Sequence, residues 1–93
     1  MTVSFTAGAR ADLDHILAYT RERYALQVVT ELKERIDAVI ARIERRPGSA
    51  PALKARRGVR VVPLIRYPFK IYFREVPGGI EILHIYHTSR NVP

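Results

Sequence analysis

The sequence predicts an α+β fold with the element order β-α-α-β-β-β, in which an antiparallel helical hairpin packs on one face of a small, mainly antiparallel sheet. Two stretches in the first 46 residues carry apolar side chains every three or four positions, as amphipathic helices do. Three short runs within residues 59–90 are rich in β-branched and aromatic residues and are separated by turn residues, as strands are. The chain of 93 residues is expected to form one domain over residues 1–93.

The first strand is expected at residues 2–5, where Val3 and Phe5 share one face. Thr6 is the candidate N-cap of the first helix, because its hydroxyl can accept a hydrogen bond from an amide of the first helical turn. Helical periodicity is then predicted from Ala9 onwards. The stripe of this helix comprises Leu13, Ile16, Leu17, Thr20 and Tyr24.

The second helix has a clearer stripe and ends at the sequence Arg45-Arg46-Pro47-Gly48, where basic residues and a Pro-Gly stop are typical C-terminal signals. The two helical patterns nearly meet between Tyr24 and Gln27, which predicts a tight connection and an antiparallel hairpin. The stripe of the second helix comprises Val28, Val29, Leu32, Ile36, Val39, Ile40 and Ile43.

A loop at residues 47–58 leads into the meander, whose first run contains Pro63. Since proline cannot donate to a strand ladder, this run is expected at a sheet edge or at a bulge. Alternation along the middle run predicts an apolar face and a second face that is basic and aromatic. The apolar face carries Phe69, Ile71 and Phe73, and the second face carries Lys70, Tyr72 and Arg74.

Two histidines of the last run receive different interpretations. His84 shares parity with Ile80 and Ile82, and is therefore expected to be partly buried with its polar atoms satisfied. His87 lies three residues before Arg90, where a histidine could act as a general base on RNA while the arginine stabilises phosphate charge. The alternative, which is favoured over catalysis, is that His87 and Arg90 fix the C-terminal turn.

The net charge of +7 is concentrated in the second half of the chain. Residues 47–93 hold eight Lys or Arg against two Asp or Glu. A field of this sign favours an anionic partner, which could be nucleic acid, an acidic protein segment or an anionic surface. The basic character is therefore expected to belong to the sheet rather than to the helices.

Several kinds of chemistry are not expected. The chain has no cysteine and its three histidines are scattered, so neither a disulfide nor a metal site is predicted. The sequence Pro77-Gly78-Gly79 is explained as a hairpin turn, and no phosphate-binding loop or cofactor motif is found. No secretion signal or membrane-spanning run is apparent, which predicts a cytoplasmic protein with no membrane partner.

Two motifs of the C-terminal third resemble a known family. The first, preceded by an arginine, is Tyr67-Pro68-Phe69-Lys70-Ile71-Tyr72-Phe73. The second is Ile82-Leu83-His84-Ile85-Tyr86-His87, followed by Arg90. Together they resemble the ending of the RelE/ParE superfamily of bacterial toxins, and more closely its ParE branch. The resemblance implies the same β-α-α-β-β-β order and extends over essentially the whole chain.

The resemblance implies the toxin of a type II toxin–antitoxin module, held inactive in a hetero-oligomer with a cognate ParD-like antitoxin. The ParE branch implies inhibition of DNA gyrase, and the RelE branch implies ribosome-dependent cleavage of mRNA. Tyr86 precedes the matching histidine position, whereas a RelE-like nuclease is expected to carry a C-terminal tyrosine. The sequence also shows no carboxylate placed to act with His87. Gyrase inhibition is therefore the preferred interpretation, and no catalytic residue is expected.

The candidate site consists of cations and aromatic residues of the meander. The expected partner-binding residues are Arg60, Arg66, Tyr67, Lys70, Tyr72, Arg74, His87 and Arg90. If the protein were an endoribonuclease, the catalytic residues implied would be His87, Arg60, Arg90 and Tyr86.

Overall fold

The computed structural model describes residues 2–90, which form two α-helices and a four-stranded sheet. A short 3-10 turn, Pro47–Ser49, follows the second helix. The predicted order β-α-α-β-β-β is confirmed, and so is the tight helical connection. The elements are β1 (Thr2–Phe5), α1 (Ala7–Arg23), α2 (Leu26–Arg45), β2 (Val59–Pro63), β3 (Phe69–Val76) and β4 (Gly79–His87).

The sheet is mixed, with the strand order β1-β4-β3-β2. The three strands of the meander pair antiparallel, whereas β1 pairs parallel to β4. The prediction of a mainly antiparallel sheet is thereby confirmed. Pro63 is the last residue of β2, which is an edge strand, so its missing N–H costs no ladder hydrogen bond.

The core lies between the helical hairpin and one face of the sheet. Ile71 and Phe73 of β3 are fully buried there, together with Ile80 and Ile82 of β4. The predicted stripe of α2 is buried except for Val28, which is half-buried. The apolar face inferred from alternation is therefore the face that the helices cover.

Thr6 joins the start of α1 to β4. Its hydroxyl oxygen accepts the N–H of Ala9 at 3.0 Å, which confirms the predicted N-cap. The same hydroxyl donates to the carbonyl of Leu83 at 2.9 Å. One side chain thus fixes both where α1 begins and where it lies against the sheet.

A β-bulge interrupts β4 at Leu83. Tyr72 pairs with His84, and the next residue of β3, Phe73, pairs with Ile82, so that Leu83 has no partner. The parity on which the sequence interpretation of His84 depended is therefore lost within the strand. His84 is half-buried, as predicted, but it lies on the face of Tyr72 rather than with Ile82.

The second face of the sheet is not the open basic and aromatic surface that alternation predicted. Tyr72 is 3% exposed, because it packs with Val59 and Tyr86 in a small apolar cluster. The rings of Tyr72 and Tyr86 are 5.7 Å apart, and Leu53 of the loop before β2 also packs against the cluster. The expectation that Tyr72 offers its ring to a partner is wrong for this structure, since the chain itself covers that ring.

Candidate functional site

A groove of about 640 Å³ lies where the helical hairpin meets the end of β4 and the turn between β2 and β3. Its lining is mostly apolar and aromatic, which is typical of surfaces that receive side chains of another molecule. The lining residues are Asp12, His15, Ile16, Tyr19, Thr20, Tyr24, Val28, Leu32, Tyr67, Pro68, Phe69, Ile85, Tyr86, His87 and Arg90.

The helical rim of the groove is formed by two exposed tyrosines. Tyr19 is 47% exposed and Tyr24 is 58% exposed. The guanidinium of Arg23 lies 3.7 Å from the centre of the Tyr19 ring, so a cation stands beside the rim. Large aromatic side chains left half open at a groove are the residues that most often anchor a protein partner.

The sheet side of the groove carries a second cation over an aromatic ring. Arg90 places its guanidinium 4.0 Å from the centre of the Tyr86 ring, and the ring of Tyr86, which is 8% exposed, stacks on that of His84 at 4.6 Å. Phe69 and His87 meet edge to face at 5.8 Å. The groove is thus apolar along its floor and cationic at both rims.

His87 is held by the turn that follows it. Its Nδ1 accepts the N–H of Ser89 at 3.1 Å and lies 2.8 Å from the Ser89 hydroxyl. The N–H of Arg90 donates to the carbonyl of His87 at 2.9 Å. With Nδ1 accepting, the neutral ring carries its proton on Nε2. These contacts correspond to the turn-fixing role weighed for this pair.

Asp12 fastens α1 to the free edge of β4 beside the groove. Its Oδ2 accepts the N–H of Ile85 at 3.1 Å and lies 3.3 Å from Nδ1 of His84. The edge amide is available because β1 ends earlier, at the pair of Phe5 with Ile82. The Asp12 carboxylate thereby accepts a backbone N–H that a neighbouring strand would otherwise have bound.

Replacing Asp12 by alanine is expected to lower the free energy of unfolding by about 1–2 kcal/mol, because the N–H of Ile85 loses its acceptor. Urea unfolding followed by circular dichroism measures the change. Asp14→Ala is the matched control, since Asp14 is exposed on the same helix and is expected to change stability by less than about 0.5 kcal/mol. Equal effects of the two substitutions would contradict the role given to Asp12.

Nearly the whole chain matches one protein family. Residues 3–92 match the family model described as "ParE toxin of type II toxin-antitoxin system, parDE". The chain belongs to this ParE toxin family. The choice of the ParE branch is thereby confirmed. A comparison with curated proteins gives no match.

The ParE fold is also confirmed by a solved structure titled "Chromosomal ParDE TA system from P. aeruginosa". The two chains are 26% identical, the TM-score is 0.79, and the match covers 94% of this chain and 95% of that chain. No helix within residues 2–90 of this ParE toxin combines the length and the apolarity needed to cross a bilayer. The same residues contain no cluster of three or more His, Cys, Asp or Glu that could hold a metal ion.

Three of the residues expected to bind a partner line the groove of this ParE toxin, namely Tyr67, His87 and Arg90. Arg66 adjoins it in the turn between β2 and β3, where it is exposed and adopts a φ of 82°. That φ is uncommon for a residue other than glycine and directs the turn between the strands. Lys70 is half-buried on the second face, with its Nζ 5.6 Å from the centre of the Tyr72 ring.

Arg60 and Arg74 do not join this group. The guanidinium of Arg60 donates to the carbonyl of Ala50 at 2.7 Å and lies 3.9 Å from Glu75, so it braces the loop before β2. Arg74 pairs across the strands with Glu81 at 2.8 Å. Two of the cations expected to bind a partner are therefore engaged within the chain in this structure.

Residues of α1 were missing from the predicted site. Asp12, His15 and Tyr19 line the groove, although only the meander was considered as a source of site residues. The sequence does contain a signal for Tyr24, because this residue extends the apolar stripe of α1 past the last position that the core requires. An aromatic residue at the end of a stripe, next to a tight hairpin, is a candidate for an exposed binding position.

Proposed function

We propose that this ParE toxin inhibits DNA gyrase in the cytoplasm and that a ParD-like antitoxin neutralises it. The observation that carries the proposal is the family match over residues 3–92. The similar structure is that of a ParDE TA system, whose name pairs a toxin of this family with an antitoxin. A toxin without a partner would stop the growth of its own host.

The groove supports binding of the antitoxin. Its floor is apolar, its helical rim offers Tyr19 and Tyr24, and its sheet rim offers Arg90. A partner segment with apolar side chains spaced along one face, and with carboxylates near the rim, complements all of these features. A segment that orders on binding buries a large area from a short length of chain.

The surroundings of His87 favour inhibition over RNA cleavage. No carboxylate of residues 2–90 lies within 4.0 Å of the His87 ring to orient it as a general base. Its Nδ1 is already occupied by Ser89, and Tyr86 beside it is buried. Of the four residues implied for an endoribonuclease, Arg60 instead donates a hydrogen bond to the carbonyl of Ala50 in the loop before β2.

Induction of the toxin alone is expected to stop DNA synthesis before protein synthesis. Pulse labelling with thymidine and methionine after induction measures the order. In a supercoiling assay, the purified toxin is expected to inhibit gyrase without any ribosome present. Early loss of methionine incorporation with ribosome-dependent mRNA cuts would assign the protein to the RelE-type function instead.

His87→Gln is expected to retain most of the growth arrest, because glutamine keeps hydrogen-bonding capacity but cannot serve as a base. Arg90→Ala is expected to raise the concentration needed for gyrase inhibition by about thirtyfold, since removal of a charged anchor costs about 2 kcal/mol. Circular dichroism serves as the control for folding. A folded His87→Gln protein without toxicity, or an Arg90→Ala protein of full potency, would count against the proposal.

A further inference from the structure

The end of the molecule opposite the groove carries cations that the proposed function does not use. α2 begins near the groove, where Val28 lines it, and runs about 25 Å to its last turn. That last turn and the following loop present six exposed cations, here named the basic end. They are Arg42, Arg45, Arg46, Lys54, Arg56 and Arg57.

The start of the loop is anchored between α2 and β2. A cavity of about 430 Å³ is lined by Arg42 of α2, by Arg46 directly after the helix and by residues 49–51 at the start of the loop. The guanidinium of Arg60 then ties Ala50 to β2 at 2.7 Å. The loop therefore begins beside the last turn of α2.

The loop itself folds back on β2 as a small hairpin. The N–H of Leu53 donates to the carbonyl of Val59 at 2.8 Å, and the N–H of Val61 donates to the carbonyl of Pro51 at 3.1 Å. Lys54, Arg56 and Arg57 lie at the tip of this hairpin. Because its base is hydrogen-bonded to the sheet, the tip presents its cations at a low cost in loop entropy.

The charge of the basic end is not balanced locally. Nine Lys or Arg and no Asp or Glu lie between Glu44 and Glu75 in the sequence. Within residues 2–90, none of the six cations has a carboxylate within 4.0 Å. Glu44 is the acidic residue nearest in sequence, and it is half-buried. A positive field is thereby concentrated at one end of the molecule.

The type of side chain identifies the class of partner. The large hydrophobic residues exposed within residues 2–90 all belong to the helical hairpin or the turn between β2 and β3, at the groove end: Tyr19, Tyr24, Leu26 and Ile65. Anchor residues of protein interfaces and the sites that stack unpaired bases are typically rich in such apolar or aromatic groups. The phosphate backbone of a duplex needs only cations, and arginine, which supplies five of the six, matches phosphate geometry.

We propose that the basic end binds the phosphate backbone of duplex DNA without reading its sequence. The choice of DNA over RNA rests on the proposed function, since gyrase works on duplex DNA. The groove and the basic end lie at opposite ends of the molecule, so DNA and a protein partner can be bound together. The toxin then contacts its target complex through the DNA as well as through the enzyme.

Fluorescence anisotropy with a labelled 20-base-pair DNA of mixed sequence tests the proposal, using the toxin alone at 50–200 mM salt. The variant Lys54→Gln, Arg56→Gln, Arg57→Gln is expected to bind at least tenfold more weakly. The slope of log affinity against log salt is expected to fall in magnitude by about 3, because each lost phosphate contact removes about 0.9. The matched control, Arg10→Gln, Arg21→Gln, Lys33→Gln, removes the same charge from the helices and is expected to stay within about twofold of the wild-type affinity.

Equal weakening by the two triple variants would overturn the proposal, since net charge alone would then explain binding. Tighter binding to duplex RNA of the same length, or to phosphatidylserine vesicles, would overturn it as well. Gyrase is absent from this measurement, so its result tests DNA binding independently of gyrase inhibition. A toxin that binds DNA through the basic end but leaves supercoiling untouched would refute only gyrase inhibition.

Discussion

Gly79→Ala is expected to lower the free energy of unfolding by about 3 kcal/mol or more. A Cβ atom at Gly79 would overlap the carbonyl oxygen of Thr2, with which Gly79 is in register between β1 and β4. The neighbouring atoms are backbone, so no side chain can turn away to relieve the overlap. β1 must then move off β4, which exposes the edge of that strand and the partly buried Val3 and Phe5.

Thermal and urea unfolding measure this loss, which corresponds to a fall in Tm of about 15 °C for a domain of this size. Gly48→Ala is the matched control, because an added Cβ there has no heavy atom within 4 Å. That substitution is expected to change stability by less than about 0.5 kcal/mol. A Gly79→Ala protein as stable as the control would show that β1 is not held against β4 at this residue.

The double substitution Tyr19→Ala, Tyr24→Ala is expected to weaken binding of the cognate antitoxin by at least about a hundredfold. Each tyrosine is about half exposed on the groove rim, and removal of an aromatic anchor commonly costs about 2 kcal/mol. Because neither ring belongs to the core, the folded state is expected to survive. Isothermal titration calorimetry with the cognate antitoxin measures the change.

Leu26→Ala supplies the comparison for the groove. Leu26 lies two residues beyond Tyr24 and is 73% exposed, yet it does not line the groove. Its replacement is expected to leave the antitoxin affinity within about twofold. Full affinity of the double tyrosine variant, or an equal loss on replacing Leu26, would place the antitoxin elsewhere on the hairpin.

Periodicity was sufficient for the elements of this fold because each helix buries one stripe and each strand alternates. The Thr6 cap and the edge position of Pro63 followed from single-residue chemistry. The parallel pairing of β1 did not follow, since its short apolar pattern fits either direction. The close approach of the Thr2 backbone to Gly79 likewise arises only when the sheet is assembled, so the sequence pattern does not predict it.

The candidate site was harder to predict because it depends on contacts between distant parts of the chain. His87 and Arg90 were found through their type and spacing, but Tyr19 joins them only after the hairpin folds onto the sheet. The cluster that buries Tyr72 includes Leu53 at its edge, so it depends on the path of the loop, which alternation does not describe. The engagement of Arg60 by a carbonyl of that loop has the same origin.

The bulge at Leu83 divides β4 into two halves with opposite parity. Ile80 and Ile82 pack in the core, whereas His84 and Tyr86 lie on the other face of the sheet. The single unpaired residue therefore determines which side chains of β4 lie on each face. A relative that lacked this residue would need compensating substitutions along the whole end of the strand. Comparisons of ParE sequences should therefore treat a one-residue gap here as an exchange of faces for every position that follows it.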